Sequence, residues 1–508
     1  MLAAGGDAGL DRRSEGEPMA EVLLGDVPER NALRLGPERW AVRHGDDAIG
    51  WGELAEKALR RAHALAGHGV GQGDRVVLAL PNCNAFYELT FAIWKLGATP
   101  TVVSPRLPPA ELKAIVELAE PRAVIAADAG LQAALGAFPA DFGRDHPQSA
   151  PRASIEAPSW KAMTSGGSTG RPKLIVDHHP ARMDDSMLGL GMPKDGVMLN
   201  PAPLYHNFPF AMTHVMMLHG TSVVGMPKFD AEAFLTLIER YRVQWVSLVP
   251  TMMNRVARLP EEVRKAHDLS SLETVWHTAA PIPPWLKEFW IDWLGPERIW
   301  EMYGGTEGFC TTQLNGVEWL EHRGSVGKPA GGEILIRGED GSALQPGEVG
   351  EIYMRRSGAE PGKPSYHYVG ADSRRLPDGF ESFGDHGWVD EDGYLYIADR
   401  RTDLILSGGR NIYPAEVEAA LLEHPAVAEA IVIGLPDPDL GAQIYAIVKP
   451  EEGTQPSADE LLAFAGERLI SYKLPRTIEF TDEPLRDEAG KARRSRLREE
   501  RIAAMEKA

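Results

Sequence analysis

Compact apolar runs alternate with stretches of helical spacing along most of this chain. That alternation limits the fold more than any other feature. Arg75 to Leu80, Thr99 to Val103 and Ala123 to Ala126 read as strands, and Trp51 to Gly67, Asn84 to Leu96 and Pro108 to Ala119 read as helices. The pattern resumes with strands at Thr221 to Met226, Trp245 to Val249 and Thr274 to Thr278, and helices at Ala231 to Tyr241 and Thr251 to Leu259. Strands joined through helices run parallel, so the expected class is α/β with doubly wound sheets. Near Gly332 the texture changes to short β runs, Glu333 to Ile336, Glu351 to Met354 and Tyr394 to Ile397, which predict a small antiparallel β unit. From Arg401 a fresh series of helices and strands predicts a separate α+β domain of roughly a hundred residues. The expected layout is a disordered lead-in over 1–18, a large N-terminal domain over 19–400 and a small C-terminal domain over 401–508.

Composition excludes several classes. A net charge of -20 argues against a nucleic-acid or acidic-membrane partner. Two cysteines, Cys83 and Cys310, cannot form a disulfide framework and fit a reducing cytoplasm as buried thiols. No apolar run reaches the ~20 residues a membrane span needs. The nearest, Ala85 to Val103, contains Glu88 and Lys95 and reads as a buried helix followed by a strand. The N-terminus has no apolar core and does not read as a signal peptide. The basic run from Lys491 to Arg501 reads as a solvated helix face at every charge beyond Lys491.

Chemistry enters at Met163 to Val176. Gly166, Gly167 and Gly170 interleave there with Thr164, Ser165, Ser168 and Thr169, and Lys173 closes the run. Glycines let amides turn toward a ligand with no Cβ in the way. Consecutive amides form an anion-binding concavity. Hydroxyls and a cation complete a site suited to polyphosphate, although a flexible surface loop has similar composition. It is not a Walker loop, because the Gly-Lys-Ser/Thr ending is missing. A second dense stretch, Met302 to Glu307, packs Tyr303, Gly304, Gly305, Thr306 and Glu307 together. Its aromatic can stack on adenine, its threonine can reach a phosphate, and its carboxylate can hold Mg²⁺ beside phosphate oxygens.

These motifs resemble the adenylate-forming superfamily, which includes acyl-CoA synthetases, firefly luciferase and the adenylation domains of peptide synthetases. Acid–CoA ligases that take bulky ring acids, such as bile-acid or terpenoid CoA ligases, are the nearest in flavour. The resemblance runs from about Leu33 to the end of the chain. It implies that the loop at Thr164 holds phosphate, that Ala279, Ala280 and Pro281 cover one face of adenine, and that Asp385 and Arg400 bind the ribose, with Ile397 beside them. It places Tyr205, His206, Asn207, Phe208, Phe210, Met212, Trp276 and His277 around an apolar acyl pocket, with His206 orienting the carboxylate. Thr402 falls at the hinge of a mobile C-terminal domain, Ser407, Gly408 and Gly409 at the coenzyme A tunnel, and Lys491 at the catalytic lysine. Three departures stand out: Leu174 where the family has glycine, Thr402 at the hinge, and Ala489 before Gly490 and Lys491.

The implied reaction uses ATP, Mg²⁺ and coenzyme A to convert a carboxylic acid to an acyl-AMP and then to a thioester. The chain ends soon after Lys491, which favours coenzyme A over a fused carrier domain. A stand-alone ligase that loads a separate carrier protein, and a non-catalytic nucleotide-binding relative, are the alternatives. No carboxylate lies in Tyr205 to Phe210 to hold an α-ammonium group, which disfavours an amino-acid substrate. A homodimer is compatible with the sequence.

Overall fold

The computed structural model describes residues 21–166, 172–184, 189–359, 363–373, 375–400, 403, 405–407, 410–438, 440–487 and 490–505. Two large sheets occupy the N-terminal part. One contains, in spatial order, Lys328–Ala330, Thr311–Asn315, Ile299–Gly304, Thr274–His277, Trp245–Leu248, Val197–Asn200, Ser222–Gly225, Trp40–His44 and Asp47–Gly50. The other contains Tyr366–Val369, Pro172–Asp177, Ala162–Gly166, Thr99–Val102, Arg75–Ala79, Ala123–Ala126 and Phe138–Pro139. Their central strands pair parallel. Thr99–Val102, Ala123–Ala126, Ser222–Gly225, Trp245–Leu248 and Thr274–His277 are buried at every position. Continuous burial is what helices on both faces impose. The small β unit is antiparallel, ordered Gly332–Arg337, Gly350–Arg356, Asp385–Val389 and Leu395–Arg400.

The two ends of the glycine-rich run pair as strands. Ala162–Gly166 pairs antiparallel with Pro172–Asp177, with Thr164 opposite Leu174 and Ser165 opposite Lys173. Leu174 has a simple physical role. It is fully buried among Val77, Val103, Leu112 and Ile115, so a glycine there would leave a cavity in this core.

The charges inside Ala85 to Val103 are paired. Asn84–Lys95 is a helix and Thr99–Val102 a strand. Glu88 meets Arg61 at 2.6 Å with neither side chain exposed above 1%. Lys95 meets Glu29 at 2.7 Å. Removing one partner of such a buried pair leaves an uncompensated charge, which costs several kcal/mol. Among the described residues no helix is long and apolar enough to cross a membrane.

The C-terminal part has its own core. Val427–Asp437 pairs antiparallel with Gly441–Pro450, which pairs parallel with Thr477–Phe480. Helices Pro414–Leu422 and Ala458–Gly466 contribute Val417, Leu421 and Leu461 to a cluster with Val432, Ala446 and Val448. The second helix opens with a capping box between Ser457 and Glu460. Arg258 of the N-terminal part donates to the carbonyls of Pro425 at 2.7 Å and Val427 at 2.8 Å, and pairs with Glu451 at 3.0 Å.

The basic run after Lys491 is only partly the solvated face expected for it: Arg493, Arg496 and Arg498 are exposed, but other arginines are paired. Within the helix Arg494–Met505, Arg494 meets Glu418 at 2.7 Å and Arg501 meets Glu479 at 2.7 Å. Arg498 donates to the carbonyl of Gly434 at 2.8 Å. These partners lie far back in the chain, so local charge spacing could not reveal them.

Candidate active site

The site is built where the C-terminal ends of the large sheet's strands meet the strand pair of the glycine-rich run and the C-terminal part. At one end, Tyr303 closes the strand Ile299–Gly304 and Asp385 opens the strand Asp385–Val389. The Tyr303 hydroxyl donates to Asp385 Oδ2 at 2.6 Å, and Asp385 is only 6% exposed. Asp385 stands opposite Arg400 in register, and Ile397 stands opposite Gly387. A Cβ on Gly305 would collide with the ring of Phe383 unless that ring moved. Ala279 has φ +76°, a left-handed backbone that costs a residue with a Cβ on the order of 1 kcal/mol. Its loop therefore keeps its shape against local strain, beside Ala280 and Pro281.

Next to this end, Glu307 Oε1 accepts the Tyr368 hydroxyl at 2.6 Å and lies 3.9 Å from Lys173 Nζ. Lys173 Nζ also sits 3.9 Å from the centre of the Tyr368 ring. Burial raises the Tyr368 pKa and the Glu307 charge raises it further, so the phenol stays protonated as a donor. Sequence reasoning missed Tyr368. It reaches the site because Tyr366–Val369 pairs with Pro172–Asp177 across a long stretch of chain, and no local motif signals that pairing. Thr306 is half-buried beside this cluster.

The donor set suits Mg²⁺. Among the described residues no group of three or more His, Cys, Asp or Glu could cage a metal alone. Mg²⁺ held by one carboxylate together with substrate phosphates needs no such cage.

Toward the junction with the C-terminal part, His206 occupies the N-cap position of the helix Asn207–Leu218 without making a side-chain cap bond. Its Nε2 is buried and has no hydrogen-bond partner among the described residues. Burial holds this imidazole near pKa 4; the Asp487 carboxylate pulls the value up and the Lys491 ammonium pushes it down. Lys491 belongs to the C-terminal part, and its charge is felt at His206. The turn that carries it touches the N-terminal part as well. A side chain at Gly490 would stand 3.5 Å from Val249 Cβ. An open cleft runs along this junction between Thr251, Ala280, Leu422 and Arg486.

Asn207 is fixed by a residue the sequence did not flag. Lys161, just ahead of the strand pair and 4% exposed, reaches Asn207 Oδ1 at 2.6 Å and Asp177 Oδ2 at 3.5 Å. Phe208 is half-buried and stacks toward Trp245, with ring centres 6.4 Å apart. Tyr205 is buried with its ring centre 4.8 Å from that of His206. Three residues expected to line the acyl pocket lie behind its wall instead. Phe210 has no exposed surface and packs among Phe86, Trp94, Trp160 and His214. Trp276 is equally buried, stacks 5.2 Å from Trp300 and donates to the Leu190 carbonyl at 2.8 Å. His277 is fully buried, 3.6 Å from Glu301, which is paired with Lys287. The reason is common to all three: they sit on a fully covered strand or on the core face of a helix. Met212 is half-buried against the same core.

Ser165 and Gly166 end the first strand of that pair. Gly167, Ser168, Thr169, Gly170, Thr402, Gly408, Gly409 and Ala489 lie outside the described residues. Ser407 is buried at the end of the strand Ile405–Ser407. Cys310 is buried, and burial pushes its thiol up to about 11; Cys83 is half-buried and is also raised by burial.

The buried imidazoles make the fold sensitive to acid. Burial lowers His214 from 6.5 to about 4, as it does His206, and lowers His277 well below 6.5. The unfolded chain takes these protons first, so stability is full above about pH 6.5 and falls as the pH drops toward 4. For His214, packed inside an aromatic cluster, the loss amounts to about 3 kcal/mol. Urea unfolding at pH 7.5 and pH 4.5 should show this loss, and His214→Phe should shrink the pH dependence by a comparable amount. An equal pH dependence in the variant would mean the buried imidazole is not its source.

Comparison with known proteins identifies relatives along nearly the whole chain. The family model described as AMP-binding enzyme matches residues 29–362, and that described as AMP-binding enzyme C-terminal domain matches residues 416–491. A feruloyl-CoA synthase of Amycolatopsis is 35% identical over 477 residues, covering 90% of this chain and 95% of that protein. A 2-succinylbenzoate–CoA ligase of Bacillus licheniformis is 32% identical over 489 residues, covering 94% of this chain and 100% of that protein. The o-succinylbenzoate CoA synthetase of Bacillus subtilis, solved with its acyl-adenylate intermediate, superposes with a TM-score of 0.79 at 28% identity, covering 94% of this chain and 98% of that one. The same synthetase has been solved with ATP and a magnesium ion.

Proposed function

The chain belongs to the AMP-binding enzyme family of adenylate-forming acid–CoA ligases, and from that premise we propose that it joins a bulky, ring-bearing carboxylic acid to coenzyme A through an acyl-AMP. The observation that carries this reading is the Glu307–Lys173–Tyr368 cluster together with the Tyr303–Asp385 pair, and the turn bearing Lys491, with Gly490 against Val249, supports it.

In the first step a carboxylate oxygen of the acid attacks the α-phosphorus of ATP. The bond to the β-phosphate oxygen breaks and pyrophosphate leaves. Catalysis of such transfers consists of positioning and charge stabilisation. Lys491 supplies positive charge between the acid and the α-phosphate. His206, held neutral by burial, orients the acid without adding charge. The backbone amides from Ser165 to Gly170 and Lys173 hold the phosphates. Tyr303 and the Ala279 loop sandwich adenine, and Asp385 accepts the ribose hydroxyls. Glu307 and the phosphates would hold Mg²⁺, which neutralises phosphate charge when bound. In the second step the thiol sulfur of coenzyme A attacks the acyl carbon, the bond to AMP breaks, and the thiol proton passes to solvent. We place the hinge for the intervening domain rotation at Thr402, the boundary between the domains at 400/401 and the thiol approach at Ser407 to Gly409.

Relatives named for feruloyl and succinylbenzoyl acids support an aromatic acid over a bile acid. The half-buried ring of Phe208 supports it too. The acidic surface and two thiols without a disulfide support a cytoplasmic setting.

The test is pyrophosphate release from ATP with Mg²⁺ and ferulic, 2-succinylbenzoic, benzoic, decanoic or cholic acid, with and without coenzyme A. The expected result is fastest release with a ring acid, strongly increased by coenzyme A, with AMP and a thioester as products. Acid-dependent release without thioester would assign the acyl-adenylate to another acceptor. No release with any acid would argue for a non-catalytic relative.

A further inference from the structure

We propose that Glu418 and Arg486 are positioning residues that set the turn carrying Lys491, and so act in the first half-reaction rather than the second. The proposal rests on the reading of Lys491 given above. Lys491 is exposed, and its four-carbon stem is flexible. What fixes its ammonium must therefore act on the backbone that carries it.

The turn is tied first to itself. Asp487 N donates to the Lys491 carbonyl at 2.9 Å, Gly490 N donates to the Asp487 carbonyl at 2.8 Å, and Lys491 N donates to Asp487 Oδ1 at 2.9 Å. Gly490 closes it with φ +75°, which glycine adopts without penalty. It is then tied to the domain. The Arg486 guanidinium spans two anchors: Nη1 donates to the Gly490 carbonyl at 3.2 Å, one residue before Lys491, while Nη2 reaches Glu418 Oε2 at 3.0 Å. Glu418 is 4% exposed and sits on the helix Pro414–Leu422. It also takes Arg494 Nη2 at 2.7 and 2.8 Å and Val432 N at 2.8 Å. One buried carboxylate thus holds the arginines on both sides of Lys491. Glu429 adds a third tie, accepting Leu485 N at 3.0 Å and Arg486 N at 3.1 Å.

A buried carboxylate is stable only when well paired, and two guanidinium groups with a backbone amide supply that pairing. The result is a rigid mount for a flexible side chain. Preorganised charge is worth more than charge that must be gathered at the moment of reaction. This mount also supplies an anchor independent of Ala489, where the family's hydroxyl is missing.

The experiment compares wild type with Glu418→Gln, Arg486→Lys and Lys491→Ala in separate half-reactions. Adenylation is followed as pyrophosphate release with the fastest acid of the panel above. Thioester formation is followed with coenzyme A and the chemically prepared adenylate of that acid. In Glu418→Gln the side-chain amide can still accept from Val432 N but cannot balance two guanidinium groups. In Arg486→Lys a charge remains for Glu418, but one ammonium cannot span both Glu418 and the Gly490 carbonyl. Both variants should lose roughly tenfold to a hundredfold in adenylation kcat, with KM for ATP changed less than about threefold, as a displacement of about 1 Å would produce. Thioester formation should stay within about twofold, because the turn is withdrawn in that step. A parallel fall in both half-reactions would reduce the two residues to a structural role and overturn the proposal. Unchanged adenylation in both variants would also overturn it. If Glu418→Gln does not fold, Arg486→Lys decides alone. Full adenylation in Lys491→Ala would instead bring down the reading of Lys491 itself. Loss in Lys491→Ala alone would bring down only the mount.

Discussion

Lys491→Ala should lower acid-dependent pyrophosphate release by about 10²–10³-fold, the range typical for removing one preorganised charge-stabilising group. The expectation starts from position. The turn from Arg486 to Lys491 lies against Val249 and Thr251, and the Lys491 charge is felt by the buried imidazole of His206. No other lysine of the C-terminal part is brought to His206 in this way among the described residues. Lys473 is held at 2.6 Å by Glu416. The loss should fall on kcat. ATP affinity should change little, because Tyr303, Asp385, Lys173 and Glu307 all lie in the N-terminal part. Thermal stability should not change either, since Lys491 is exposed and its backbone ties survive the substitution. Acyl-adenylate supplied from outside should still yield thioester at close to the wild-type rate. Pyrophosphate release equal to wild type would remove Lys491 from the chemistry.

The class of fold was legible in the sequence because parallel strands covered on both faces are written as uninterrupted apolar runs, such as Trp245 to Val249. The glycine-rich run and the stretch from Tyr303 to Glu307 were legible for another reason. Backbone approach to a ligand demands particular residue types at fixed spacing. What escaped were the partners that no motif names, each supplied from far away in the chain. Tyr368 reaches Glu307 only through a cross-strand pairing with the strand Pro172–Asp177. Lys161 reaches Asn207 only once the strand pair lies beside the helix Asn207–Leu218. The arginines after Lys491 find carboxylates at Glu418 and Glu479. Aromatic residues misled in the opposite direction. Phe210, Trp276 and His277 belong by composition to an apolar pocket, yet a strand or helix has a buried face and an open one, and the motif alone does not say which face each residue takes.

Glu307→Gln should raise the Mg²⁺ concentration needed for half-maximal activity by at least about tenfold and lower kcat by about 10²-fold. The substitution is chosen to spare the fold. The glutamine carbonyl can accept the Tyr368 hydroxyl as the carboxylate does, so the 2.6 Å bond has a replacement. What disappears is the negative charge beside Lys173. With that charge gone, Lys173 no longer divides its attraction between Glu307 and the phosphates, so ATP binding without metal should tighten or stay level. Binding in the presence of Mg²⁺ should weaken. This opposite movement separates a metal ligand from a residue that merely braces Lys173. A bracing role would let Lys173 wander and weaken ATP binding whether or not Mg²⁺ is present. Fluorescence titration of ATP with EDTA and with Mg²⁺ distinguishes the two. Tyr368→Phe is the matching control: it removes the donor to Glu307 but leaves the carboxylate and the ring under Lys173. It should cost far less, about tenfold or below, with the Mg²⁺ requirement little changed. A Mg²⁺ titration of Glu307→Gln that overlays the wild-type curve would exclude Glu307 as the metal's protein ligand.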